Sequence, residues 1–355
     1  MDNVISIMIT GAGAPGIAGT IYALKESQGE INYRIITIDI KNNVIGKYLA
    51  DGFYTIPCPE SKEYLSTITD IAIKEKIKVI LPQTTREIII LSRFKDDLRK
   101  QGIEVVVSDY QSILVANDKF LVLEKADTVQ VPFPIYRLTS SEEEFIRAVY
   151  ELGYPEKKVV IKPRLSNGMR GIRILTREVW DVKKFLNVKP SGVEVSLDNI
   201  LPVLRKGEWP ELLVTEYLEG DEYTIDVFRN FERIVVIPRI RKQIRSGITF
   251  DTEVDLREDL IEYSRRLAEA IDLRYCFGFQ FKMSAGVPKL LECNPRVQGT
   301  MVVSMFAGFN IIENAVKEAV GIRGKIDNLK IKDKIQFKRY WGGVSVIGDN
   351  FTKRI

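Results

Sequence analysis

The chain has 355 residues, of which 45% are hydrophobic and 28% charged, and its net charge at pH 7 is +4. This length predicts two or three domains, and so small a charge excludes the strongly basic class of nucleic-acid-binding proteins. No histidine is present, which excludes Ser-His and Cys-His nucleophiles, imidazole bases and histidine-ligated zinc. The three cysteines, Cys58, Cys276 and Cys293, form no CxxC pair, so neither a disulfide framework nor a structural zinc is expected.

The first 115 residues alternate β-branched runs with helical patterns. Strands are predicted in VISIMIT, YRIITIDI, VILPQ and IEVVVSD, and helices at about 16–28, 61–76 and 85–101. Strands alternating with helices predict βαβ units and a parallel sheet. The apolar N-terminal run follows Asp2 instead of basic residues and is broken by glycines and Pro15, so we interpret it as strand, loop and helix. No other run approaches the ~18 apolar residues of a membrane span. We therefore expect a cytoplasmic protein with no membrane partner.

A glycine-rich loop follows the first predicted strand. Gly11, Gly13 and Gly16 have the GxGxxG spacing, and Asp39 ends the next strand, as in dinucleotide-binding domains. Two interpretations stay open at this point. One is an NAD(P)-dependent oxidoreductase, and the other is a tight strand-to-helix turn without a ligand.

A new helix is predicted near residue 118, with Asn117 or Asp118 as its N-cap, and β-runs with fewer helices follow from about residue 135. One of these runs ends at Lys162 and continues into the glycine-containing loop SNGMRG, residues 166–171. Such a loop between two strands can fold over phosphates and offer backbone N–H groups beside a lysine charge. A solvated hairpin with a basic tip is the alternative.

Acidic and basic clusters follow in the next two β-runs. Glu216 and Glu222 flank a turn at Gly220, where carboxylates could bind the adenine amine and ribose hydroxyls of ATP; a surface hairpin would look similar. The basic residues that precede Gly247 suit a carboxylate, a phosphate or an acyl phosphate. They are Arg239, Arg241, Lys242 and Arg245. The alternatives are a solvated charged strand and a nucleic-acid patch, although no aromatic residues are interleaved as such a patch would need.

Polar side chains line the last predicted hairpin, FGFQFKMS and KLLECN around a Gly-Val-Pro turn. Gln280 lies on its first strand, and Glu292 and Asn294 share one face of the second. Carboxylate and amide oxygens suit Mg²⁺ or Mn²⁺ bound together with nucleotide phosphates. Arg296, on the same face, could neutralise a transferring phosphoryl group. Cys293 should point into the core, and no histidine is present to activate it.

The segments EYLEGDEYTIDV and FGFQF…LLECNPR carry a family resemblance that covers about residues 1–320. The chain resembles ATP-grasp enzymes, most of all the synthetase units of the carbamoyl-phosphate synthase large chain and related single-unit ligases. This resemblance implies a Rossmann-like α/β domain followed by an α+β ATP-grasp fold of two subdomains. The implied domains are residues 1–115, a central and lid subdomain at 116–225, a metal-binding subdomain at 226–325 and an extension at 326–355. Only one synthetase unit is present here, and the lid is less glycine-rich than many, which puts carbamoyl phosphate in doubt but not the use of ATP.

The resemblance also implies roles for individual residues. Nucleotide contacts are implied for Lys119, Lys162, Ser166, Asn167, Gly168, Gly171, Glu216, Tyr217, Leu218 and Glu222. Metal binding is implied for Gln280, Glu292 and Asn294, phosphoryl contact for Arg296, and contact with the substrate for Arg241, Gln243 and Arg245. Arg86 and Glu87, after the strand VILPQ, are candidates for substrate choice because ligands of α/β sheets bind at the carboxyl ends of strands.

These observations predict an ATP-dependent, ADP-forming ligase that joins a carboxylic acid to an amine through an acyl phosphate. The expected cofactors are ATP and two Mg²⁺ or Mn²⁺ ions, and the expected partners are small molecules. A homo-oligomer is compatible with the sequence. One alternative is a unit that phosphorylates bicarbonate or carbamate, and another is the NAD(P)-dependent oxidoreductase.

Overall fold

The computed structural model describes residues 4–27, 31–166, 168–177, 181–188, 192–322, 329–340, 342–348 and 350–354. The chain divides into two compact units. The first comprises Met1–Asn117, Asp221–Phe281 and Glu292–Ile355, and the second comprises Asp118–Gly220 and Lys282–Leu291.

The N-terminal part of the first unit is a five-stranded parallel sheet with helices between its strands. The strands are β1 (Val4–Thr10), β2 (Asn32–Asp39), β3 (Gly52–Thr55), β4 (Val79–Leu81) and β5 (Glu104–Val105). Their order is β3-β2-β1-β4-β5, and every neighbouring pair is parallel. The helices are α1 (Ile17–Lys25), α2 (Gly46–Leu49), α3 (Tyr64–Lys74), α4 (Thr85–Arg93), α5 (Lys95–Lys100) and α6 (Tyr110–Asn117). The predicted Rossmann-like domain is confirmed, although the helix expected over 85–101 is two helices that meet at Phe94.

The second unit contains a five-stranded sheet and four helices among its described residues. Its elements are α7 (Lys119–Thr128), β6 (Tyr136–Thr139), α8 (Glu142–Glu151), β7 (Val159–Pro163), β8 (Arg173–Leu175), α9 (Val182–Asn187), β9 (Glu194–Val195), α10 (Leu197–Leu204) and β10 (Leu212–Glu216). The strand order is β6-β10-β7-β8-β9. Asp118 is the N-cap of α7, since its side chain accepts hydrogen bonds from the N–H groups of Phe120 and Leu121.

A six-stranded sheet follows in the chain. Its elements are β11 (Glu222–Arg229), β12 (Ile234–Arg245), β13 (Ile248–Val254), α11 (Glu258–Ala270), β14 (Tyr275–Ser284), β15 (Val287–Asn294), α12 (Val303–Phe306), α13 (Ile311–Ala319) and β16 (Gln336–Lys338). The strand order is β15-β14-β11-β12-β13-β16. Two further strands, β17 (Val344–Ile347) and β18 (Asn350–Arg354), pair with each other in a separate hairpin.

The turn between β14 and β15 differs from the predicted one. Ala285 and Gly286 form it, both with positive φ, as in two-residue hairpins whose twist matches that of the strands. Val287 and Pro288 already belong to β15. The Gly-Val-Pro turn predicted from the sequence was therefore placed too late by about one residue, because Pro288 was taken as part of the turn.

One hydrophobic core of the first unit contains residues of the parallel sheet and of the six-stranded sheet. Ile7 and Ile35 of the parallel sheet belong to the same buried cluster as Ile237 and Cys276 of the six-stranded sheet. Helix α13 contributes Val316. These two sheets therefore form one packed body within the first unit. No helix among the described residues is long and apolar enough to cross a membrane.

The chain beyond β16 is tied back to this body by Arg339. Its Nη1 donates to the carbonyl oxygen of Pro15 at 3.0 Å, and its Nη2 to that of Gly299 at 2.8 Å. Strand β16 itself pairs with β13. The start of the predicted C-terminal extension is thus part of the first unit.

Candidate functional site

The residues predicted to bind metal lie on both strands of the β14–β15 hairpin, Gln280 in the middle of β14 and Glu292 and Asn294 at the end of β15. Gln280, Glu292 and Asn294 are half-buried, whereas Cys293 between them is buried with 8% of its surface exposed. This alternation follows from the two-residue period of a strand and confirms that Cys293 points into the core. Burial raises the pKa of the Cys293 thiol far above its ordinary value, so the thiolate is strongly disfavoured.

The three candidate ligands offer one carboxylate and two amide oxygens. Asn294 Nδ2 donates to Glu292 Oε1 at 3.4 Å, which holds the two side chains together on their face of β15. Oxygen donors with few charges fit Mg²⁺, which keeps several waters and takes phosphate oxygens as further ligands. No group of three or more Cys, Asp or Glu side chains suited to a metal is found in the described part of the chain. The residues present therefore fit a metal that arrives with its nucleotide better than one held by protein alone.

Arg296 is fixed beside these ligands by three hydrogen bonds. Its Nη2 donates to Asn294 Oδ1 at 3.3 Å, its Nε to Thr85 Oγ1 at 3.2 Å, and its Nη1 to the Val297 carbonyl at 2.9 Å. Burial lowers the pKa of the guanidinium, and the charge of Glu292 works in the opposite direction. Thr85 was not predicted, because the contact joins residues 211 positions apart.

The basic cluster of β12 does not form one surface. Arg241 is buried, and its guanidinium donates to Glu222, to Thr249 Oγ1 at 2.8 Å and to the Gly247 carbonyl at 2.7 Å. Arg241 thus joins the predicted ribose carboxylate to the β12–β13 turn. Gln243 and Arg245 are exposed near that turn, and the Arg245 guanidinium lies over the Phe250 ring.

Arg239 is not available to a substrate, contrary to the prediction for this cluster. It has no exposed surface and forms a bidentate ion pair with Asp226, with Nε to Oδ2 at 2.6 Å and Nη2 to Oδ1 at 3.0 Å. Arg239 and Arg241 lie on the same face of β12, so the two-residue period of a strand does not distinguish their environments. They differ in the acidic residue that each contacts on β11. The sequence alone does not show which acidic residue each arginine contacts, because that depends on the register between β11 and β12.

Arg86 and Glu87 begin helix α4 but have different environments. Arg86 is exposed and paired with Glu60. Glu87 is buried and accepts hydrogen bonds from the hydroxyl groups of Thr10 and Thr84. Burial raises the pKa of Glu87, while the two hydroxyl donors partly offset this shift.

In the second unit, Lys119 connects helix α7 to the predicted phosphate loop. Its Nζ donates to the Ser166 carbonyl at 2.7 Å and to Ser166 Oγ at 3.0 Å. Lys162 is half-buried on β7, close in sequence to the same loop, whose Gly168 and Gly171 have positive φ. Asn167 lies outside the described residues.

The adenine candidates surround the end of β10. Glu216 Oε1 accepts from the Ile135 N–H at 2.9 Å and from Lys289 Nζ. The Tyr217 ring is approached by the ammonium groups of Lys158 and Lys282, at 5.7 and 5.2 Å from its centroid. Leu218 is buried. Neither Lys282 nor Lys289 was predicted, since both are carried by the tip of the β14–β15 hairpin.

The glycine-rich loop of the N-terminal domain is packed from within. The Gly13 N–H donates to Asp39 Oδ2 at 2.8 Å, so the acidic residue at the end of β2 is bonded to the loop itself. A Cβ at Gly16 would lie 2.9 Å from the Gly299 Cα. Close packing within the first unit therefore accounts for the glycine at position 16.

Two family models match the chain. Residues 7–106 match the PylC-like N-terminal domain, and residues 208–340 match the family described as ATP-grasp in the biosynthetic pathway with Ter operon. The fold and the predicted resemblance to the ATP-grasp superfamily are therefore confirmed: a PylC-like parallel-sheet domain precedes an ATP-grasp domain.

Particular relatives are carbamoyl phosphate synthase large chains. That of Clostridium acetobutylicum is 24% identical over 73% of this chain, and that of Lachnoclostridium phytofermentans is 25% identical over 76%. The matches cover 23% and 26% of those proteins, so the chain spans about a quarter of their length.

Solved structures show the same fold. The ADP complex of an N5-carboxyaminoimidazole ribonucleotide synthetase has a TM-score of 0.66 at 16% identity, covering 91% of this chain and 78% of that one. A biotin carboxylase–beta-gamma-ATP complex from Campylobacter jejuni has a TM-score of 0.68 at 19% identity, covering 93% of this chain and 74% of that one. At these identities the likeness to the solved structures shows a shared fold.

Proposed function

We propose that this protein is an ATP-dependent, ADP-forming ligase that joins a carboxylic acid to an amine. The observation that carries this proposal is the set of polar side chains on and just after one hairpin of an ATP-grasp domain, namely Gln280 on β14, Glu292 and Asn294 on β15, and Arg296 beyond it. Oxygen ligands and a fixed guanidinium are what the transfer of a terminal phosphate requires, because positioning and charge neutralisation supply most of its catalysis. The absence of histidine is no obstacle to such chemistry.

In the proposed reaction an oxygen of the substrate carboxylate attacks the terminal phosphorus of ATP. The bond from that phosphorus to the bridging oxygen breaks, and ADP leaves with the electron pair. The amine nitrogen then attacks the acyl carbon, the bond to the phosphate oxygen breaks, and the amine proton passes to phosphate or solvent. The products are an amide, ADP and inorganic phosphate.

The proposal gives roles to individual candidate residues. Gln280, Glu292 and Asn294 would hold Mg²⁺, which neutralises charge on the phosphates when it is bound. Arg296 contacts the transferring phosphoryl group. Lys119, Lys162 and the loop that starts at Ser166 bind phosphates, Glu216 to Leu218 bind adenine, and Glu222 binds the ribose. Arg241 holds Glu222, while exposed Gln243 and Arg245 contact the substrate.

A second candidate function is phosphorylation of bicarbonate or carbamate. The similarity to carbamoyl phosphate synthase large chains and to biotin carboxylase favours it. Both candidates use the same ATP site, and they differ in the acid that attacks the terminal phosphate.

A phosphate-release screen over paired acids and amines, with bicarbonate as a separate arm, tests the proposal. We expect ADP and phosphate to form in equal amounts, and only when the right acid and amine are both present. Bicarbonate-dependent release without an amine would favour the second candidate. AMP and pyrophosphate as products, or NADH binding without ATP binding, would contradict both.

A further inference from the structure

A fully buried ion pair lies under the loop that carries Arg296. Asp226 on β11 and Arg239 on β12 both have no exposed surface, and they are joined by two hydrogen bonds of 2.6 and 3.0 Å. They are diagonal neighbours, because Asp226 pairs with Ile237 in the strand register. Burial raises the pKa of Asp226, and the Arg239 guanidinium opposes that shift.

Two side chains of the loop bind this pair directly. Arg239 Nη1 donates to Thr300 Oγ1 at 3.1 Å. Gln298 Nε2 donates to Asp226 Oδ1 at 3.3 Å and to the Ile225 carbonyl at 3.0 Å. The buried charges therefore hold the loop two and four residues beyond Arg296.

The absence of a side chain at Gly278 on β14 leaves the space that the Gln298 side chain occupies. A Cβ at Gly278 on β14 would lie 1.5 Å from Gln298 Nε2 and 2.5 Å from the Ile225 carbonyl oxygen. Gly278 is thus required by a side chain of the loop, two residues before the metal candidate Gln280. The same strand supplies a metal candidate and the space in which the loop is anchored.

Stability alone does not account for the pair. Replacing a buried ion pair with apolar side chains of similar volume is often neutral or stabilising, because desolvation of the charges offsets their attraction. What apolar side chains cannot reproduce is the directed hydrogen bonding to Thr300 and Gln298. Specific placement of the loop is the property that the charges supply.

We propose that Asp226 and Arg239 are positioning residues that fix the loop 295–300, and with it Arg296 and the adjoining Asn294 of β15, in register with the terminal phosphate of ATP. This inference rests on the proposed function, since it gives that phosphate to Arg296. It predicts that disturbing the pair weakens contacts to the terminal phosphate and leaves contacts to adenine and ribose, which other residues make.

Thr300→Val and Thr300→Ser form a matched pair of variants. Valine keeps the shape of threonine and removes the hydroxyl that Arg239 contacts, whereas serine keeps the hydroxyl. Dissociation constants of ATP and ADP are measured by calorimetry at saturating Mg²⁺, together with the melting temperature. We expect Thr300→Val to weaken ATP binding about 10-fold and ADP binding less than about 2-fold, and Thr300→Ser to behave as the unaltered protein.

The double variant Asp226→Leu with Arg239→Met removes both charges and leaves neither unpaired. We expect it to fold and to show the same selective loss of ATP affinity. If this variant failed to fold, the ion pair would be needed for stability, which contradicts the argument that its role is to place the loop. Equal weakening of ATP and ADP in folded Thr300→Val, or no weakening, would overturn the positioning role. Failure of the unaltered protein to bind ATP would refute the proposed function itself.

Discussion

Glu87 shows how a single side chain can be tuned by its surroundings. It is a buried carboxylate in the first turn of α4, where helix N–H groups favour negative charge, and two threonine hydroxyl groups donate to it. Burial is nevertheless the larger effect and raises its pKa. Proton binding by Glu87 is therefore coupled to folding.

The free energy of unfolding should reflect this coupling. The pKa of Glu87 is higher in the folded chain than the ~4.3 of an unfolded glutamate, so the folded state holds the proton longer as pH rises. The contribution of Glu87 to the free energy of unfolding is therefore most favourable below about pH 4.3, and it is lost as the pH rises through the folded-state pKa. Glu87→Gln, which stays neutral, should gain stability relative to the unaltered protein as pH increases from about 4 to 8.

Melting temperatures of both proteins across this pH range measure the difference. Glu60→Gln is a control of opposite sign, because Arg86 lowers the pKa of the exposed Glu60. Its effect should be small, as exposed ion pairs contribute at most about 1 kcal/mol. If the melting temperatures of Glu87→Gln and the unaltered protein differed by the same amount at every pH, the raised pKa of Glu87 would be contradicted.

Residue environments followed from the sequence where local periodicity determines them. The two-residue period of β15 separated Cys293 from Glu292 and Asn294 correctly. The N-cap of α7 was narrowed to Asn117 or Asp118 from their place before a helical pattern, and it is Asp118. Arg239 was misjudged because its environment depends on Asp226 of the neighbouring strand. Side-chain pairing across strands needs the register, and the register is set by the whole sheet.

At the scale of elements, the glycine-rich loop between β1 and α1 is the clearest case of one motif with two interpretations. Its spacing is that of a dinucleotide-binding loop. In the structure Asp39 accepts the Gly13 N–H, and Gly16 packs on the backbone of Gly299. The Arg339 guanidinium donates one hydrogen bond to the carbonyl oxygen of Pro15 and another to that of Gly299. Packing within the first unit thus accounts for the glycine at position 16 and for the hydrogen bonding of the loop to Asp39.

Gly16→Ala tests that packing role. The new Cβ would lie 2.9 Å from the Gly299 Cα and 3.3 Å from its carbonyl oxygen, and backbone atoms cannot move aside cheaply. We expect a loss of about 1–3 kcal/mol in the free energy of unfolding, measured by denaturant titration.

Gly207→Ala is the matched control, because nothing lies within 4 Å of the added Cβ and the residue is exposed. It should change stability by no more than about 0.5 kcal/mol. If Gly16→Ala proved as well tolerated as Gly207→Ala, the close approach of the two glycines would not constrain the loop.

Element types were predictable because their patterns are local. The alternation of strands and helices in the first 115 residues predicted the parallel sheet, and the helix predicted near residue 118 is α7. Turn positions were less predictable: Pro288 marked the wrong residue as the hairpin turn. Contacts distant in sequence, such as Arg296 with Thr85 and Arg339 with Pro15, left no local pattern at all.

At the scale of the whole molecule, the chain combines a PylC-like domain with an ATP-grasp domain, and the candidate residues are distributed over both compact units. The first unit carries the metal and phosphoryl candidates, and the second carries the lysines and the adenine candidates. In the first unit one hydrophobic core contains residues of the parallel sheet and of the six-stranded sheet. The N-terminal sheet is therefore a structural support of the proposed metal site as well as a candidate substrate domain.

The central claim is that Glu292 binds the metal that accompanies ATP. Equilibrium titration of ATP with and without Mg²⁺ tests it most directly, with Glu292→Gln compared with the neighbouring Cys293→Ala. We predict that Mg²⁺ tightens ATP binding by the unaltered protein and by Cys293→Ala. Glu292→Gln should lose at least about 10-fold of that tightening without a lower melting temperature. Equal tightening by Mg²⁺ in Glu292→Gln would contradict the claim.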